Sequence, residues 1–583
     1  MKNTYKNIPS YLKEYIVEQN YSSYTSIDHA CWRFIMRISK DFFSKHAHNS
    51  YLEGLDKTGI TIDRIANIDE MNNKLSQIGW LAVPVRGFLP PSIFMKFQSL
   101  GILPIACDMR TVNHLTYTPA PDIVHEAAGH SPIIVDSSYS KYLKNYGQVS
   151  SKAISSLEDQ DVYLAIRNLS DIKESPKASD LDIKKAENNL NNALDNISFI
   201  SESAYLARMN WWTVEYGLIG DISNPKIYGA GLLSSVGESA HFLDTSVKKL
   251  PFSIDCLKYD YDITEPQPQL FVTPNFEKLS EVLDEYANTM SYRLGGFIGT
   301  KRAIQSKNVC TTVLDDGLEI SGILQSVIGT DKDIDYLKFR GPVQISIDGN
   351  QIDGHGGDYH SEGYSTPLGE LKGFQGSINK LSNLDIKKIG IELDNAIILQ
   401  FKSGIRLEGI IKHIYRHKGM ISIITFIDCK VSIGDKILFD PSWGNFDLIC
   451  GHKILSVYGG PGDWPLYRPF MNTELPPKSI PNHIKKISSN KNELIDLYTE
   501  VRNIRENKKE SSATLIEIYN SLCSKNSDDW LLKMEILESS KMLNQQDLAD
   551  CIINDLHSLC DKNSDIKDSI DRGISLIEAL YTT

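Results

Sequence analysis

Two histidines five residues apart, His125 and His130, place the strictest constraint on how this chain can fold. They flank a carboxylate, Glu126, in a short apolar segment. On a regular α-helix, positions five apart diverge by about 140° around the axis. If both imidazoles bind one metal ion, the helix must therefore end or widen between them. Gly129 and Pro132 are residue types that permit such a change.

A third candidate ligand, Glu215, lies downstream in the apolar stretch 211–218 (WWTVEYGL). An unpaired carboxylate would be costly in such a stretch, and metal binding would offset that cost. Two histidines and one carboxylate on one side of a metal leave other positions open, as non-haem Fe(II) oxygenases require. The alternatives are structural histidines with a salt-bridged Glu215, or a zinc-dependent hydrolase using HEAAGH. Zinc proteases, however, space their two histidines four residues apart.

Several other side chains have two interpretations each. Arg110 could grip a substrate carboxylate through two hydrogen bonds, or form a structural salt bridge with Asp122. Phe94 could stack on a planar heterocycle, and Trp211 could form an aromatic wall, although core packing is the commoner use of both residue types.

The remaining histidines give weaker signals. His355 and His360, together with Asp358 in a glycine-rich loop, could bind a surface cation, but a polar turn is the more frequent use of such a segment. His413 and His417 would share one strand face, yet the cationic side chains around them disfavour a bound cation.

Bulk properties exclude some classes of protein. The net charge of −13 is spread along the 583 residues, which argues against a nucleic-acid or membrane-binding surface. The nine cysteines show no C-x-x-C pair, and reduced thiols in a cytoplasmic protein are the simplest interpretation. No apolar signal-peptide core and no membrane-spanning run occurs.

The length predicts several domains. We expect residues 1–300 to form a mainly α catalytic domain with a helical insertion at about 140–200. We expect residues 301–475 to form a β-rich domain of unknown role, and residues 486–583 a small α-helical domain. Residues 461–469 (PGDWPLYRP) are typical of a linker.

Two pieces of the β-rich region look alike, residues 316–323 (DGLEISGI) and 403–410 (SGIRLEGI). Each has a turn glycine, then apolar residues at period two, then a second glycine. This similarity suggests duplicated hairpins or small barrels.

Four motifs in order resemble the signatures of pterin-dependent aromatic amino acid hydroxylases. They are residues 24–33 (YTSIDHACWR), 116–132 (TYTPAPDIVHEAAGHSP), 212–218 (WTVEYGL) and 228–235 (YGAGLLSS). The resemblance covers roughly residues 8–295 and is greatest to the prokaryotic phenylalanine 4-hydroxylase branch.

The resemblance implies an enzyme that hydroxylates L-phenylalanine to L-tyrosine with O2 and tetrahydrobiopterin at a non-haem Fe(2+) centre; tryptophan and tyrosine are the alternative substrates. It assigns the iron to His125, His130 and Glu215. It assigns roles at the reacting centre to Glu126 and Asp122. The implied substrate contacts are Arg110, Thr118, Pro119, Trp211, Gly231 and Ser234. The implied pterin contacts are Gly87, Leu89, Phe94, Glu126 and Ala207.

The chain also departs from the family pattern. Pro91 and Asn210 replace hydroxyl-bearing residues that animal enzymes have at the pterin site. Residues 300–583 lie outside the resemblance. We expect small-molecule partners only, with no nucleic acid and no membrane, and self-association through residues 301–583 is one interpretation of that segment.

Overall fold

The computed structural model describes residues 5–115, 121–174, 178–262, 266–471, 489–507, 512–524 and 528–581. Up to residue 306 the chain is mainly helical. The α-helices there are Ser10–Lys13, Ser26–His46, Ser50–Lys57, Ile68–Leu75, Pro91–Ser99, Ser137–Ser150, Leu157–Glu174, Asp180–Asp195, Glu202–Asn210, Ala230–Ser234, Val236–His241, Phe276–Ala287, Ser291–Leu294 and Gly296–Ser306. Two π-helical segments, Val124–His130 and Trp211–Glu215, interrupt this pattern.

Two small sheets accompany these helices. Leu81–Val85 and Ile102–Ala106 form a parallel pair. The second sheet has four short strands, in the order Lys226–Ile227, Leu218–Ile219, Gln269–Thr273, Lys248–Pro251. Among the described residues, no helix is both long enough and apolar enough to cross a bilayer.

The long helix Ser26–His46 lies at the centre of the main core. Its start is fixed by a capping box, in which the Thr25 hydroxyl accepts a hydrogen bond from the Asp28 backbone N–H and the Asp28 carboxylate accepts one from the Thr25 backbone N–H. Trp32 and Ile35 of this helix are almost fully buried. The chain therefore begins this helix where the cap-forming residues predict it.

The segment between residues 137 and 201 contains three helices with two different roles. Ser137–Ser150 belongs to the main core, where Tyr139, Tyr142 and Tyr146 are fully buried. Leu157–Glu174 and Asp180–Asp195 instead pack on each other around a small separate cluster. This helix pair is the surface hairpin of the segment.

The β-rich region consists of two antiparallel sheets. The first sheet has the order Asn350–Gln351, Ile334–Ile347, Leu318–Gly329, Val309–Leu314, Ile454–Gly459, with Gly363–Pro367 also paired to Ile334–Ile347. The second sheet has the order Ala396–Gln400, Ile405–His417, Met420–Ile433, Lys436–Phe439, with Phe446–Ile449 also paired to Met420–Ile433. Each sheet has its own hydrophobic cluster.

The two similar sequence pieces occupy matching places in these sheets. Each begins at a turn and continues into the second, long strand of a meander, Leu318–Gly329 or Ile405–His417. The pairing register shifts at the second glycine in both, between Ser321 and Ile323 and between Glu408 and Ile410. The glycines therefore mark β-bulges, which bend and twist a strand.

Residues 461–469 do not form the linker that their proline and glycine content suggests. Trp464–Tyr467 is a short helix, and the buried Tyr467 donates a hydrogen bond to the Pro342 carbonyl at 2.7 Å. Arg468 forms an ion pair with Glu14 near the amino terminus. The aromatic and charged side chains therefore fix this segment against the rest of the protein.

The carboxyl-terminal helices pack on the amino-terminal half rather than standing apart. They are Ser489–Asn507, Ser512–Ser524, Trp530–Met542, Gln546–Lys562 and Lys567–Tyr581. Three of them contact the helix Ser26–His46, and Trp530 packs edge-on against Phe34 with ring centroids 5.1 Å apart. Their apolar side chains belong to the same hydrophobic cluster as the main core.

A buried ionic network crosses this contact. The Arg33 guanidinium donates to Glu535 at 2.8 Å and, through Nη2, to Glu538 at 2.6 Å. Arg37 also pairs with Glu538, and Arg505 pairs with Glu535. Burial opposes ionisation of the Glu538 carboxyl, but the Arg33 hydrogen bonds together with the charges of Arg33, Arg37 and Arg505 lower its pKa.

Removing one partner of this network leaves a buried charge uncompensated. We expect Glu538→Ala to lower the free energy of unfolding by about 3–5 kcal/mol, as measured by urea titration followed by tryptophan fluorescence. The control Glu53→Ala removes an exposed ion pair with Lys57 and should change stability by less than about 1 kcal/mol. Equal effects of the two substitutions would contradict a stabilising role for the buried network.

Candidate metal centre

A π-helical turn solves the spacing problem of the two histidines. Val124–His130 is π-helical and carries His125 near its start and His130 at its end. Because a π-helix closes its hydrogen bonds over five residues, positions five apart come close to the same face. The widening that the five-residue spacing predicts is therefore present.

The two histidines and Glu215 converge on one point. The distance between His125 Nε2 and His130 Nε2 is 3.1 Å. Glu215 Oε2 lies 3.4 Å from His125 Nε2, and Glu215 Oε1 lies 3.5 Å from His130 Nε2. Neighbouring ligands of one first-row metal ion, each bonded at about 2.1 Å, are roughly 3.0–3.4 Å apart. The three side chains therefore have the separations of ligands to a single ion.

Glu215 ends a second π-helical segment, Trp211–Glu215, which continues directly from the α-helix Glu202–Asn210. Asn210 lies five residues before Glu215, and its side-chain amide is near enough to the Glu215 carboxylate to lower the pKa of that group. In Val124–His130 the two residues five apart are the candidate ligands His125 and His130. In the second segment the residues five apart are Asn210, a supporting amide, and the candidate ligand Glu215. Sequence analysis considered Asn210 only as a departure at the pterin site and missed this contact.

Asp122, Arg110 and Ser234 support His125. The Asp122 carboxylate accepts hydrogen bonds from the His125 backbone N–H at 3.0 Å and from Arg110 Nε and Nη2 at 2.6 and 2.8 Å. Ser234 Oγ lies 2.9 Å from His125 Nδ1, and its carbonyl accepts from Arg110 Nη1 at 3.1 Å. Such partners fix the orientation of a metal-binding imidazole.

The helix Ala230–Ser234 lies directly against the π-helix of the histidines. A Cβ atom at Gly129 would be 2.7 Å from the Ala230 carbonyl oxygen, closer than side chains approach. The Gly231 backbone N–H also lies near the Glu215 carboxylate and lowers its pKa. Gly129 therefore permits the close contact through which this helix reaches both His125 and Glu215.

Burial shifts the pKa of all three candidate ligands. It raises the pKa of Glu215 to about 8, against the lowering effect of the Asn210 side chain and the Gly231 backbone N–H. It lowers the pKa of His125 to about 4, with Arg110 adding to the effect, and lowers the pKa of His130 well below its ordinary value. Neutral imidazoles keep the lone pair that a metal needs, and a bound cation would restore the charge of the carboxylate.

Glu126 lies beside the triad without joining it. Its Oε2 is 3.9 Å from His130 Nε2 and has no hydrogen-bond partner among the described residues. Burial, followed by the charges of Glu215 and Asp122, raises its pKa well above the ordinary value. A buried polar atom without a partner is a place where a ligand group can bind.

The donor set fits ferrous iron better than a closed structural metal. Two imidazoles and one carboxylate occupy one side, which leaves positions for other ligands. The side chains of His125 and Glu215 are 21% and 16% exposed, so the ion position can be reached from solvent. A set of two imidazoles and one carboxylate is typical of non-haem iron enzymes.

Of the remaining predicted substrate residues, Trp211 is described together with its surroundings. Tyr216 and Tyr261 stack on Trp211, with ring centroids 4.6 and 4.5 Å from the indole. Sequence analysis missed both tyrosines, although Tyr216 directly follows Glu215. Thr118 and Pro119 lie outside the described residues.

The predicted pterin residues lie on two elements. Gly87 and Leu89 belong to the loop after the strand Leu81–Val85, and Phe94 lies in the first turn of the helix Pro91–Ser99. Gly87 has a φ of 59°, a backbone conformation that favours glycine. Ala207 is exposed on the helix that leads into Trp211–Glu215. Contact of these four residues with a cofactor remains a prediction.

Comparison with known proteins finds similarity in the amino-terminal half of the chain. Residues 5–165 and 199–297 match the model of a family described as biopterin-dependent aromatic amino acid hydroxylase, so this part of the chain is similar to members of that family. The unmatched residues 166–198 include the second half of the helix Leu157–Glu174 and all of the helix Asp180–Asp195.

Curated relatives cover the same part of the chain. The phenylalanine-4-hydroxylase of Chromobacterium violaceum is 26% identical over 271 residues, which is 46% of this chain and 76% of the relative. That of Ralstonia nicotianae is 28% identical over 269 residues, which is 46% of this chain and 72% of the relative. A crystal structure of the Chromobacterium violaceum enzyme with bound iron(III) and 7,8-dihydrobiopterin is 25% identical, with a TM-score of 0.38 and coverage of 47% of this chain and 86% of that one.

Removal of the Ser234 hydroxyl tests whether the contacts that support His125 strengthen iron binding. We expect Ser234→Ala to weaken iron binding about 10- to 100-fold, because His125 loses the partner of its Nδ1 atom. Titration of metal-free protein with Fe(II) under nitrogen measures the affinity. The exposed Ser44 provides a control, and Ser44→Ala should bind iron as the parent does. Unchanged affinity in Ser234→Ala would remove this contact from the account.

Proposed function

We propose that this chain is a phenylalanine 4-monooxygenase that converts L-phenylalanine to L-tyrosine with O2 and tetrahydrobiopterin at a non-haem Fe(II) centre. The observation that carries the proposal is the convergence of His125, His130 and Glu215 with separations of 3.1–3.5 Å. The names of the curated relatives, phenylalanine-4-hydroxylases from several bacteria, favour phenylalanine over tryptophan and tyrosine.

The residues of the chain hold and orient the reactants. When bound, ferrous iron and the tetrahydropterin supply the electrons that activate O2. His125 and His130 bind the metal through Nε2, and Glu215 binds it through its carboxylate. Asp122 and Ser234 keep His125 in place, and Asn210 keeps Glu215 in place. The apolar surroundings limit the access of water to the reacting atoms.

Arg110 is the proposed anchor of the amino acid substrate. Its bonds to Asp122 and Ser234 use three of the five N–H groups of the guanidinium, and the other two can bind a carboxylate. The salt bridge with Asp122 is therefore compatible with substrate binding. The bridge also fixes the plane of the guanidinium. Trp211 would flank the substrate ring, supported by its tyrosine stack, and Gly231 and Ser234 would line the same pocket. From the resemblance, Thr118 and Pro119 complete this set.

Glu126 is the proposed polar contact of the pterin. Its buried, unpartnered Oε2 can form a hydrogen bond with an N–H group of the pterin ring. Phe94 would stack on the ring, and the backbone of Gly87 and Leu89 together with Ala207 would border it. Glu126 thereby joins the pterin side of the site to the iron side, beside His130.

The domain arrangement, location and assembly are part of this proposal. We propose a catalytic unit at 1–300 with a helical insertion at about 140–200, a β-rich unit at 301–475 and a helical unit at 486–583. The separate clusters of the two sheets support the second unit. All nine cysteines are free, which favours a cytoplasmic location. Self-association through residues 301–583 is proposed as a further role of these segments.

An activity assay tests the function. We expect purified protein with Fe(II), tetrahydrobiopterin and O2 to form tyrosine from phenylalanine, and Glu215→Ala to form essentially none because one metal ligand is lost. Product analysis by chromatography, with tryptophan and tyrosine as parallel substrates, measures the preference. A zinc-dependent hydrolase would need neither O2 nor pterin. Unchanged turnover in Glu215→Ala would remove Glu215 from the ligand set.

A second substitution separates pterin binding from iron binding. We expect Glu126→Gln to raise KM for the tetrahydropterin about tenfold, because an amide N–H replaces the acceptor oxygen, which is about 1.4 kcal/mol of binding. Iron content and KM for phenylalanine should stay at the parent values. The control Glu53→Gln changes an exposed glutamate and should leave all three unchanged. Loss of iron with unchanged pterin KM would contradict the assignment.

A further inference from the structure

A second group of two histidines and one carboxylate lies in the β-rich region. His355, His360 and Asp447 are all buried, and one ligand atom from each lies within 4.8 Å of the others. The two histidines are again five residues apart. The third member is Asp447, whereas the sequence suggested the nearby Asp358, which is exposed. The group is therefore buried, whereas the loop composition favours an exposed polar turn over a surface cation site.

The group joins the two β-sheets. His355 and His360 lie between the strands Asn350–Gln351 and Gly363–Pro367 of the first sheet, and Asp447 lies on Phe446–Ile449 of the second. Backbone hydrogen bonds hold both histidines. The His355 carbonyl accepts from the Ile345 N–H at 2.9 Å, and the His360 carbonyl accepts from the Val343 N–H at 3.1 Å. The side chains thus project from ordered backbone.

The separation of the two histidine nitrogens suits a small metal ion, and the Asp447 carboxylate lies farther out, within 4.8 Å of them but beyond ion-pair distance. His355 Nδ1 lies 3.3 Å from His360 Nε2. Two nitrogen ligands bonded to a tetrahedral zinc ion at about 2.1 Å are roughly 3.4 Å apart. The Asp447 Oδ1 atom accepts a hydrogen bond from Thr425 Oγ1 at 2.6 Å, which orients the carboxylate as supporting partners of metal ligands do. The ring of Tyr364 packs edge-on against His360, with centroids 5.0 Å apart.

The charge of Asp447 requires a partner. Asp447 is only 3% exposed. Within the part of the chain that the structure describes, no lysine or arginine forms an ion pair with its carboxylate. The two imidazoles could satisfy each other through one N–H···N hydrogen bond, but that bond would leave the carboxylate charge uncompensated. A buried charge without a counter-charge is costly, and a bound cation removes this cost.

We propose that His355, His360 and Asp447 bind one divalent transition-metal ion, with zinc the best match, which fastens the two β-sheets together. Imidazole nitrogens and a carboxylate oxygen are common zinc ligands, and a water molecule can complete four-coordination. The site is separate from the hydroxylase centre in sequence and in position. Its existence does not depend on the activity proposed above.

Zinc counting tests the proposal. Full-length protein is freed of metal with a chelator, equilibrated with Zn²⁺, separated from excess and analysed by mass spectrometry for zinc per chain. We expect about two zinc ions in the parent, because the iron ligands also accept zinc. Glu215→Ala and Asp447→Asn should each hold about one, and the double variant about none. The control His417→Ala, in the same region, should hold about two.

Thermal unfolding gives a second measurement. In the Glu215→Ala background, saturating Zn²⁺ should raise Tm, and adding Asp447→Asn should abolish this rise, because only ligand bound to the folded state stabilises it. A parent protein that holds about one zinc, or a Glu215→Ala protein whose Tm does not respond to Zn²⁺, overturns the proposal. Neither of these results depends on whether Asp447→Asn folds.

Discussion

Burial of uncompensated charge is the constraint on which the arrangement of the catalytic half depends. Three carboxylates, Asp122, Glu126 and Glu215, lie around two neutral imidazoles, and the only guanidinium described in contact with them is Arg110, which pairs with Asp122. One arginine cannot offset three acidic groups. Burial accordingly raises the pKa of Glu126 and Glu215. A divalent cation held by the triad, as proposed, would supply the missing positive charge, and the ion that serves the chemistry would then also explain how this polar cluster persists in a core.

Part of the fold and of the candidate metal site could be predicted from local sequence. The five-residue spacing of His125 and His130 required a widened helix, and the π-helix provides it. The two similar pieces of the β-rich region could also be recognised in the sequence, because turns and bulges are decided by neighbouring residues. These features depend on short-range geometry, and short-range patterns predict them.

What escaped prediction depends on contacts between distant parts of the chain. Asp447 joins His355 and His360 only because the two sheets meet, whereas the acidic residue nearest to them in sequence is the exposed Asp358. Proline and glycine content suggested a linker at residues 461–469, but Tyr467 packs and hydrogen-bonds across the fold. Similarly, the stacking of Tyr261 on Trp211 cannot be read from either segment alone.

The helix Ser26–His46 connects the carboxyl-terminal helices to the metal centre by continuous packing. One part of it holds Arg33 against Glu535 and Glu538, and it also contacts the helix Ala230–Ser234, whose Ser234 hydroxyl meets His125. The additional carboxyl-terminal helices therefore pack on the same helix that contacts the surroundings of His125, a proposed metal ligand.

Anomalous X-ray scattering at the iron edge, from crystals grown with Fe(II) under nitrogen, tests the central claim most directly. The account predicts one strong iron peak within about 2.0–2.3 Å of His125 Nε2, His130 Nε2 and a Glu215 oxygen, with its other positions held by water. An iron peak away from these three side chains, or one fully enclosed by protein atoms, would contradict it.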